Sequence, residues 1–205
     1  MIAIIDYNAG NLRSVYKAFR HIGCDCVITR DREEIINADG AVLPGVGSFG
    51  DTADTLDKFG VRQTALDFID SGKPFLGICL GLQLLFEGSE ESPEAHGLGI
   101  FKGTIARIPD GEGLKIPHMG WNSLKINPKS RLLNGLEVNP YVYFVHSYYL
   151  NAADKSIVAA QTEYGVTIDA AVESGNVFAT QFHPEKSGST GLHILRNFAE
   201  ITGGK

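Results

Sequence analysis

The sequence predicts an α/β fold with a doubly wound, mostly parallel central sheet and additional antiparallel strands in its second half. Between residues 2 and 86, short apolar runs alternate with amphipathic helical patterns, which is typical of parallel sheets covered by helices on both faces. After Gly88, short β-rich runs separated by glycine and asparagine take over, as hairpins require. With no linker of disordered composition and no internal repeat, we expect a single domain over residues 1–205.

The first half alternates four strands with helices. In the first helix, Leu12, Val15 and Phe19 recur at helical spacing and Gly23 ends the pattern. Asp31 opens a short second helix as its cap, and residues 51–71 are also helical in pattern. The predicted strands are residues 2–7, 25–30, 40–45 and 74–78.

The second half contains five β-rich runs and ends in an amphipathic helix over residues 190–201. The runs are residues 99–108, 121–126, 141–150, 156–164 and 167–182. Because they are short and separated by turn residues, we expect them to pair as antiparallel strands.

Composition excludes several classes of protein. A hydrophobic fraction of 43% supports a sizeable core, and a formal net charge of −6 with no basic run argues against nucleic-acid binding. No apolar run is long enough to span a membrane, and the early Asp6 makes "MIAII" a first strand rather than a signal peptide. The three cysteines form no disulfide framework, and Cys24 and Cys26 are better explained as core residues than as a zinc site. We therefore expect a cytoplasmic protein that does not associate with membranes.

Cys79 lies in "GICLGLQLLF", where the fourth strand meets a helical pattern. A free cysteine in an apolar run is usually a core residue. The flanking Gly77 and Gly81, however, match the G-x-S-x-G arrangement, in which a strained strand-to-helix turn exposes a nucleophile. The start of a helix also offers free N–H groups and a positive dipole end, which favour a thiolate. We predict that Cys79 is a nucleophile.

A thiol nucleophile needs a base, and the base needs an orienting partner. Among the six histidines, His183 follows a strand pattern and precedes proline, which keeps it extended. Glu185 lies two residues later, close enough to fold back towards the imidazole. The order Cys79, His183, Glu185 predicts a catalytic triad.

Three motifs, "PGVGSFG", "GICLGLQLLF" and "QFHPEKS", resemble those of class I glutamine amidotransferases, in the same order. "PHMGWN", "YFVHSYY" and "DYNAGNL" narrow the resemblance to one branch, the glutaminase subunits of imidazole glycerol phosphate synthases in histidine biosynthesis. The resemblance implies a flavodoxin-like sheet, a Cys-His-Glu triad and L-glutamine as the substrate. It also implies a heterodimer with a cyclase subunit of (βα)8-barrel fold, which would receive the ammonia and make imidazole glycerol phosphate and AICAR.

Further residues are predicted to complete the site. The oxyanion hole is expected to use the N–H of Leu80 and a second donor from the turn at Gly45, Val46 and Gly47, although "PGVG" is also explained as a plain turn ending a strand. Gln83, one helical turn after Cys79, can face the same pocket, or it is an exposed helix residue. The resemblance places His146, Ser147 and Tyr148 at the amino-acid end of glutamine, with no catalytic role for His146.

The partner surface is expected at the strand ends that carry Cys79 and His183, because ammonia released into water becomes protonated and loses its nucleophilicity. The candidates are Asn11, Trp121, Tyr143 and Lys186. The alternative is that these four are unrelated surface residues. No residues have metal-ligand spacing and no phosphate-binding motif is present, so we expect neither a metal nor another cofactor.

Three other functions remain open on the sequence. A glutaminase subunit of another class I amidotransferase, or a free γ-glutamyl hydrolase, would share the triad. Either function would account less well for the presence of "PHMGWN" and Lys186. A non-enzymatic flavodoxin-like binding module would explain the sheet but not three matched motifs at strand ends.

Overall fold

The computed structural model describes residues 1–8 and 10–203, so Ala9 of "DYNAGNL" lies outside the described residues. The strands are β1 (Ile2–Ile5), β2 (Cys26–Thr29), β3 (Gly40–Gly45), β4 (Phe75–Cys79), β5 (Gly103–Arg107), β6 (His118–Ser123), β7 (Lys125–Ile126), β8 (Tyr141–His146), β9 (Tyr148–Ala152), β10 (Val158–Glu163), β11 (Thr167–Ser174) and β12 (Val177–Thr180). The helices are α1 (Leu12–His21), α2 (Arg32–Asn37), α3 (Phe49–Lys58), α4 (Val61–Asp70), α5 (Leu80–Leu84) and α6 (Gly188–Ile201). Two short 3₁₀ turns cover Lys155–Ile157 and Pro184–Lys186.

The central sheet has eight strands in the order β2-β1-β3-β4-β12-β11-β10-β7. The five strands from β2 to β12 pair in parallel, and β12, β11, β10 and β7 continue the sheet in antiparallel fashion. Two separate antiparallel pairs, β5–β9 and β6–β8, lie outside it. The prediction of a mostly parallel sheet with additional antiparallel strands is confirmed.

Helices cover both faces of the sheet because the parallel strands are apolar on both sides. All residues of β1, β3, β4 and β12 are buried. One core cluster joins the sheet to α3 and α4 through Phe49, Leu56 and Phe68. The other joins it to α1 and α6 through Phe19 and Phe198, whose rings meet edge to face at 6.4 Å.

Several element boundaries differ from those predicted. The helical region near residues 51–71 is two helices, α3 and α4, because Gly60 adopts φ 67° between them. The helix after Cys79 ends at Leu84 rather than at Gly88, because Phe86 forms a bridge with Phe101 instead. Strand β12 ends at Thr180, three residues before His183. Strand β2 begins at Cys26, which is buried, as is Cys24 before it.

Three adjacent strands carry the predicted site to one edge of the sheet. Strands β3 and β4 pair so that Gly45 lies opposite Cys79. Strand β12 pairs with β4 on the other side, with Thr180 opposite Ile78. Carboxyl ends of parallel strands form the usual crevice of such sheets, so the sheet order brings "PGVG", Cys79 and His183 together.

Candidate active site

Cys79 occupies a sharp turn between β4 and α5. Its backbone has φ 56° and ψ −105°, a conformation that costs a residue with a side chain about 1–3 kcal/mol. A Cβ on Gly81 would lie 1.9 Å from the carbonyl oxygen of Leu43, and one on Gly77 would lie 2.6 Å from the oxygen of Gly81. Both flanking glycines are therefore required by close backbone contacts, as the predicted nucleophile turn demands.

His183 and Glu185 form a buried pair beside this turn. His183 caps the 3₁₀ turn with an extended backbone, φ −101°, and its Nδ1 lies 2.7 Å from Oε1 of Glu185. Asn11 donates from Nδ2 to the same oxygen at 2.5 Å. Glu185 thus holds the imidazole in one orientation, and Asn11 holds Glu185.

The protonation of His183 depends on both neighbours. Burial by itself lowers the pKa of His183, but Cys79 and Glu185 outweigh it and raise the pKa to about 9. At neutral pH the imidazole therefore carries a proton on each nitrogen. Nε2 is buried and makes no hydrogen bond to the described residues. With no partner to hold it, the proton on Nε2 is available to a ligand bound in the adjoining cavity.

Gln181 is a member of the site that the sequence analysis missed. Its Nε2 lies 3.7 Å from Sγ of Cys79, and its Oε1 accepts a bond from Nε2 of Gln83 at 3.1 Å. Gln83 also donates to the carbonyl of Tyr148 at 3.0 Å. With both amide hydrogens used in this way, Gln83 can offer its Oε1 to a ligand. Gln181 precedes His183 by two residues in "QFHPEKS", and that proximity was the one signal that pointed to it.

A cavity of about 340 Å³ opens at Cys79. Its lining includes nine predicted residues, namely Val46, Gly47, Cys79, Leu80, Gln83, His146, Ser147, Tyr148 and His183. Gly45 and Glu185 are not in this lining, but Gly45 lies opposite Cys79 in the sheet and Glu185 contacts His183. Glu91 also lines the cavity and was not predicted, and its Oε2 accepts the N–H of Phe49 at 2.7 Å. It supplies the carboxylate that a positively charged ligand group would need.

A larger cleft of about 620 Å³ lies at the opposite ends of β4 and β12. It contains none of the predicted site residues. Among the described residues, its lining has no cysteine or histidine, and its arginine, Arg131, is paired with Glu173 at 2.8 Å, so the cleft lacks a thiol and an imidazole like those at Cys79 and His183.

The segment from Gly45 to Gly47 lies against the start of α5. A Cβ on Gly45 would come within 2.8 Å of Cβ of Leu80, and Gly47 adopts φ 107°. The buried hydroxyl of Tyr7 donates to the carbonyl of Pro44 just before this segment. These contacts bring the predicted oxyanion donors close to Cys79.

Three of the four predicted partner-surface residues lie on or near the strand pair β6–β8. Trp121 is 55% exposed and opposes Tyr143 across the pair, with ring centroids 6.1 Å apart. Lys186 is exposed on the turn after His183. Asn11 is instead half-buried, and its side chain donates to Glu185 of the buried histidine–glutamate pair. Met119 and Tyr141, not predicted, are also exposed on this strand pair.

Two kinds of feature were not found in the part of the chain that the structure describes. Residues 1–8 and 10–203 contain no cluster of three or more histidine, cysteine, aspartate or glutamate side chains arranged to hold a metal ion. None of their helices combines the length and the apolar character needed to cross a bilayer.

The chain matches a known family and has close relatives. The family model described as glutamine amidotransferase class-I matches residues 3–201. The imidazole glycerol phosphate synthase subunit HisH of Methanothermobacter thermautotrophicus is 56% identical over 201 residues, which cover 98% of each chain. The protein of the same name from Caldanaerobacter subterraneus subsp. tengcongensis is 53% identical, also over 98% of each chain. That from Methanocaldococcus jannaschii is 49% identical over 98% of this chain and all of the relative.

Solved structures of lower identity share the fold. A crystal structure described as glutamine amidotransferase superposes with a TM-score of 0.77 at 20% identity, covering 99% of this chain and 100% of that one. The glutaminase domain of Trypanosoma brucei CTPS with bound acivicin superposes with a TM-score of 0.70 at 19% identity, covering 100% of this chain and 94% of that one.

Proposed function

Because this chain belongs to the class I glutamine amidotransferases, we propose that Cys79, His183 and Glu185 are the triad with which it hydrolyses glutamine to glutamate and ammonia. The single observation that carries this proposal is the strained Cys79 turn, which opens into the same cavity as His183, the base that Glu185 holds. Near-full-length identity to HisH proteins supports the finer assignment, the glutaminase subunit of an imidazole glycerol phosphate synthase.

The reaction has two halves. In the first, Cys79 has passed its thiol proton to Nε2 of His183, and its Sγ attacks the side-chain carbonyl carbon of glutamine and forms a C–S bond. As the C–N bond breaks, Nε2 of His183 gives its proton to the departing nitrogen, so ammonia and a glutamyl thioester result. In the second, His183 takes a proton from water, the hydroxyl attacks the thioester carbonyl, and the C–S bond breaks to release glutamate and restore Cys79.

Oxyanion stabilisation is assigned to backbone donors. The N–H of Leu80 directly follows the nucleophile, and a second N–H comes from the segment of Gly45, Val46 and Gly47. Losing one such donor costs about 10²–10³ in turnover. The conformation of this segment therefore decides whether the enzyme is active.

The rest of the cavity lining is suited to the amino-acid end of glutamine. Its α-ammonium group is assigned to Glu91, the carboxylate in the lining, and to Oε1 of Gln83. Ser147 and Tyr148 line the same end, where their backbone can bind the amino-acid group. His146 is a wall residue without a catalytic role, because its Nδ1 lies 2.9 Å from the carbonyl of Tyr148 and its Nε2 lies 3.0 Å from Nδ1 of His118, so neither nitrogen is left for the substrate.

The partner is assigned to the cyclase subunit, docked on what we call the docking face: Met119, Trp121, Tyr141, Tyr143 and Lys186. This face is joined directly to the triad turn. The carbonyl of Tyr143 accepts the N–H of His183 at 3.0 Å, and its N–H donates to Oγ of Ser187 at 2.9 Å. A partner docked on this strand would therefore influence the position of His183 through Tyr143. The docked partner would also shield the released ammonia from water.

The test is glutamine hydrolysis by wild type and by Cys79→Ala, each assayed with the cyclase subunit and its nucleotide substrate. We expect Cys79→Ala to lose hydrolysis while keeping its fold, because no other group replaces the thiolate. Cys24→Ala is the matched control, since Cys24 is also buried but lies outside the cavity. In wild type, a glutamine-analogue electrophile should label Cys79 alone. Appreciable hydrolysis by a clean Cys79→Ala preparation would contradict the triad.

A further inference from the structure

His118 is a buried histidine that the proposed mechanism does not use. It is 3% exposed, and its ring stacks between Phe144, at a centroid distance of 4.7 Å, and Tyr164, at 3.9 Å. This stack holds Nδ1 of His118 at 3.0 Å from Nε2 of His146, which lines the cavity. The two histidines are cross-strand neighbours on β6 and β8.

Only one arrangement of protons satisfies these contacts. Nδ1 of His146 lies 2.9 Å from the carbonyl of Tyr148, which can only accept, so Nδ1 carries the proton. Burial lowers the pKa of His146 to about 3 and that of His118 to about 4, so both rings are neutral and carry one proton each. Nε2 of His146 is then bare and accepts from Nδ1–H of His118. Nε2 of His118 is left as an acceptor, with Nδ2 of Asn122 at 3.4 Å.

The bonds continue from His146 into the wall of the cavity. The Tyr148 carbonyl that accepts from His146 also accepts from Gln83, whose amide in turn donates to Gln181. Gln181 reaches Sγ of Cys79. One hydrogen-bonded chain thus runs from β6, the strand that carries exposed Trp121, to the residues that surround glutamine.

We propose that His118 is a positioning residue for glutamine: its Nδ1–H holds Nε2 of His146, which keeps the Nδ1–H of His146 on the Tyr148 carbonyl and thereby holds that carbonyl and the Gln83 amide in place. The proposal rests on the proposed function, since it assumes that this cavity binds glutamine. His118 does not line the cavity itself, so its effect passes through His146. Its removal should therefore weaken glutamine binding more than it slows the chemical step.

The first experiment reads the tautomers directly. Imidazole ¹⁵N NMR of the full chain at neutral pH should show His146 protonated at Nδ1 and bare at Nε2, and His118 in the same state. A doubly protonated His146, or one protonated at Nε2, would overturn the proposal. This readout needs no glutaminase activity, so it stands even if the proposed function fails.

The second experiment compares two substitutions in the glutaminase assay with the cyclase. His118→Phe keeps the stacking but removes the donor, and we expect KM for glutamine to rise about fivefold to tenfold, the effect of one hydrogen bond, with kcat changed less than about twofold. In His118→Asn the amide nitrogen can occupy the place of Nδ1, so most of the KM should be restored. An unchanged KM in His118→Phe, or no restoration in His118→Asn, would overturn the proposal. Wild-type enzyme that fails to hydrolyse glutamine would instead count against the proposed function.

Discussion

At the scale of single residues, one carboxylate oxygen joins three parts of the site. Oε1 of Glu185 accepts from His183 and from Asn11, while Oε2 is buried with no partner among the described residues. The second donor matters because a carboxylate buried with one partner is free to rotate away from the imidazole. Asn11 therefore acts on the orientation of His183 through Glu185.

We predict that Asn11→Gly lowers kcat for glutamine about tenfold, since a hydrogen bond to a charged group contributes about 1.5–3 kcal/mol and this site is half-buried. Glycine suits the test because Asn11 has φ 76°, which glycine adopts without strain. Asn8→Gly is the matched control. Asn8 also has positive φ, 67°, and it is exposed. Steady-state glutaminase kinetics check the prediction, and equal kcat values for the two variants would contradict it.

The sequence allowed Cys79, His183 and Glu185 to be predicted as a triad, because each stands in a recognisable local context of glycine, proline or strand end. The contacts of Asn11 and Gln181 could not be predicted. Asn11 lies 174 residues from Glu185, and Gln181 lies 102 residues from Cys79. Which distant side chains meet depends on the strand order, and no local pattern records that order.

At the scale of elements, the turn between β4 and α5 is held by contact with β3. The Cβ that an alanine would add at Gly81 lies 1.9 Å from the oxygen of Leu43, a backbone atom in the middle of a paired strand. The strand cannot move away without breaking the sheet, so the helix must shift. The position of Cys79 is therefore fixed by the sheet.

We predict that Gly81→Ala lowers the free energy of unfolding by more than about 1–3 kcal/mol, the usual cost of overpacking, and abolishes labelling of Cys79 by a glutamine analogue. Gly88→Ala is the control, because its Cβ would meet only Ala95, at an ordinary 3.5 Å. Urea unfolding followed by circular dichroism measures the difference. Equal stability of the two variants would contradict the prediction, because it would mean that β3 moves to accommodate the added methyl group.

Element types were predictable and element ends were not. Strand β12 ends at Thr180, the N–H of Gln181 still bonds to Ala170 of β11, and the chain then leaves the sheet so that the N–H of His183 bonds to Tyr143 in another strand pair. The pairing of β6 with β8 and of β5 with β9 likewise depends on tertiary contacts. Alternating polarity identifies a strand, but it does not identify the strand's neighbour.

At the scale of the whole molecule, buried histidines make stability depend on pH in both directions. His183 has its pKa raised to about 9 in the folded state, so its contribution is full below about pH 6.5 and is lost as the pH rises towards 9. His118 and His146 have their pKa values lowered to about 4 and about 3, so they destabilise the fold as the pH falls below about 6.5.

We predict opposite changes in two variants. Between about pH 6.5 and 9, His183→Gln should lose less unfolding free energy than wild type, and between about pH 6.5 and 4, His118→Phe should lose less than wild type. Urea unfolding across this pH range tests both, with His21→Gln as a control in an exposed helical position. Parallel curves for all four proteins would contradict the assignment of these charges.

The docking face gives a further prediction at this scale. Trp121→Ala and Lys186→Ala should reduce the increase in glutaminase activity that the cyclase produces by about tenfold or more, while Cys79 in the isolated chain still reacts with an electrophile. Exposed aromatic residues such as Trp121 are the side chains that contribute most to interfaces. Lys129→Ala is the control, because Lys129 lies in the cleft at the opposite end of the sheet. If Lys129→Ala and the two docking-face variants respond alike, the partner binds elsewhere.

The position of β4 between β3 and β12 has a consequence for the newly made chain. Strand β4 leaves the ribosome well before its neighbour β12, since 102 residues separate Cys79 from Gln181. At about 5–20 residues per second, translation takes roughly 5–20 s to cover that interval. During this time the apolar edge of β4 is exposed, and Cys79 has neither His183 nor Gln181 beside it. If Cys79, His183 and Glu185 act together as proposed, hydrolysis cannot begin until residue 185 has emerged, so a ribosome that stalls between β4 and β12 leaves an aggregation-prone edge but no unregulated glutaminase.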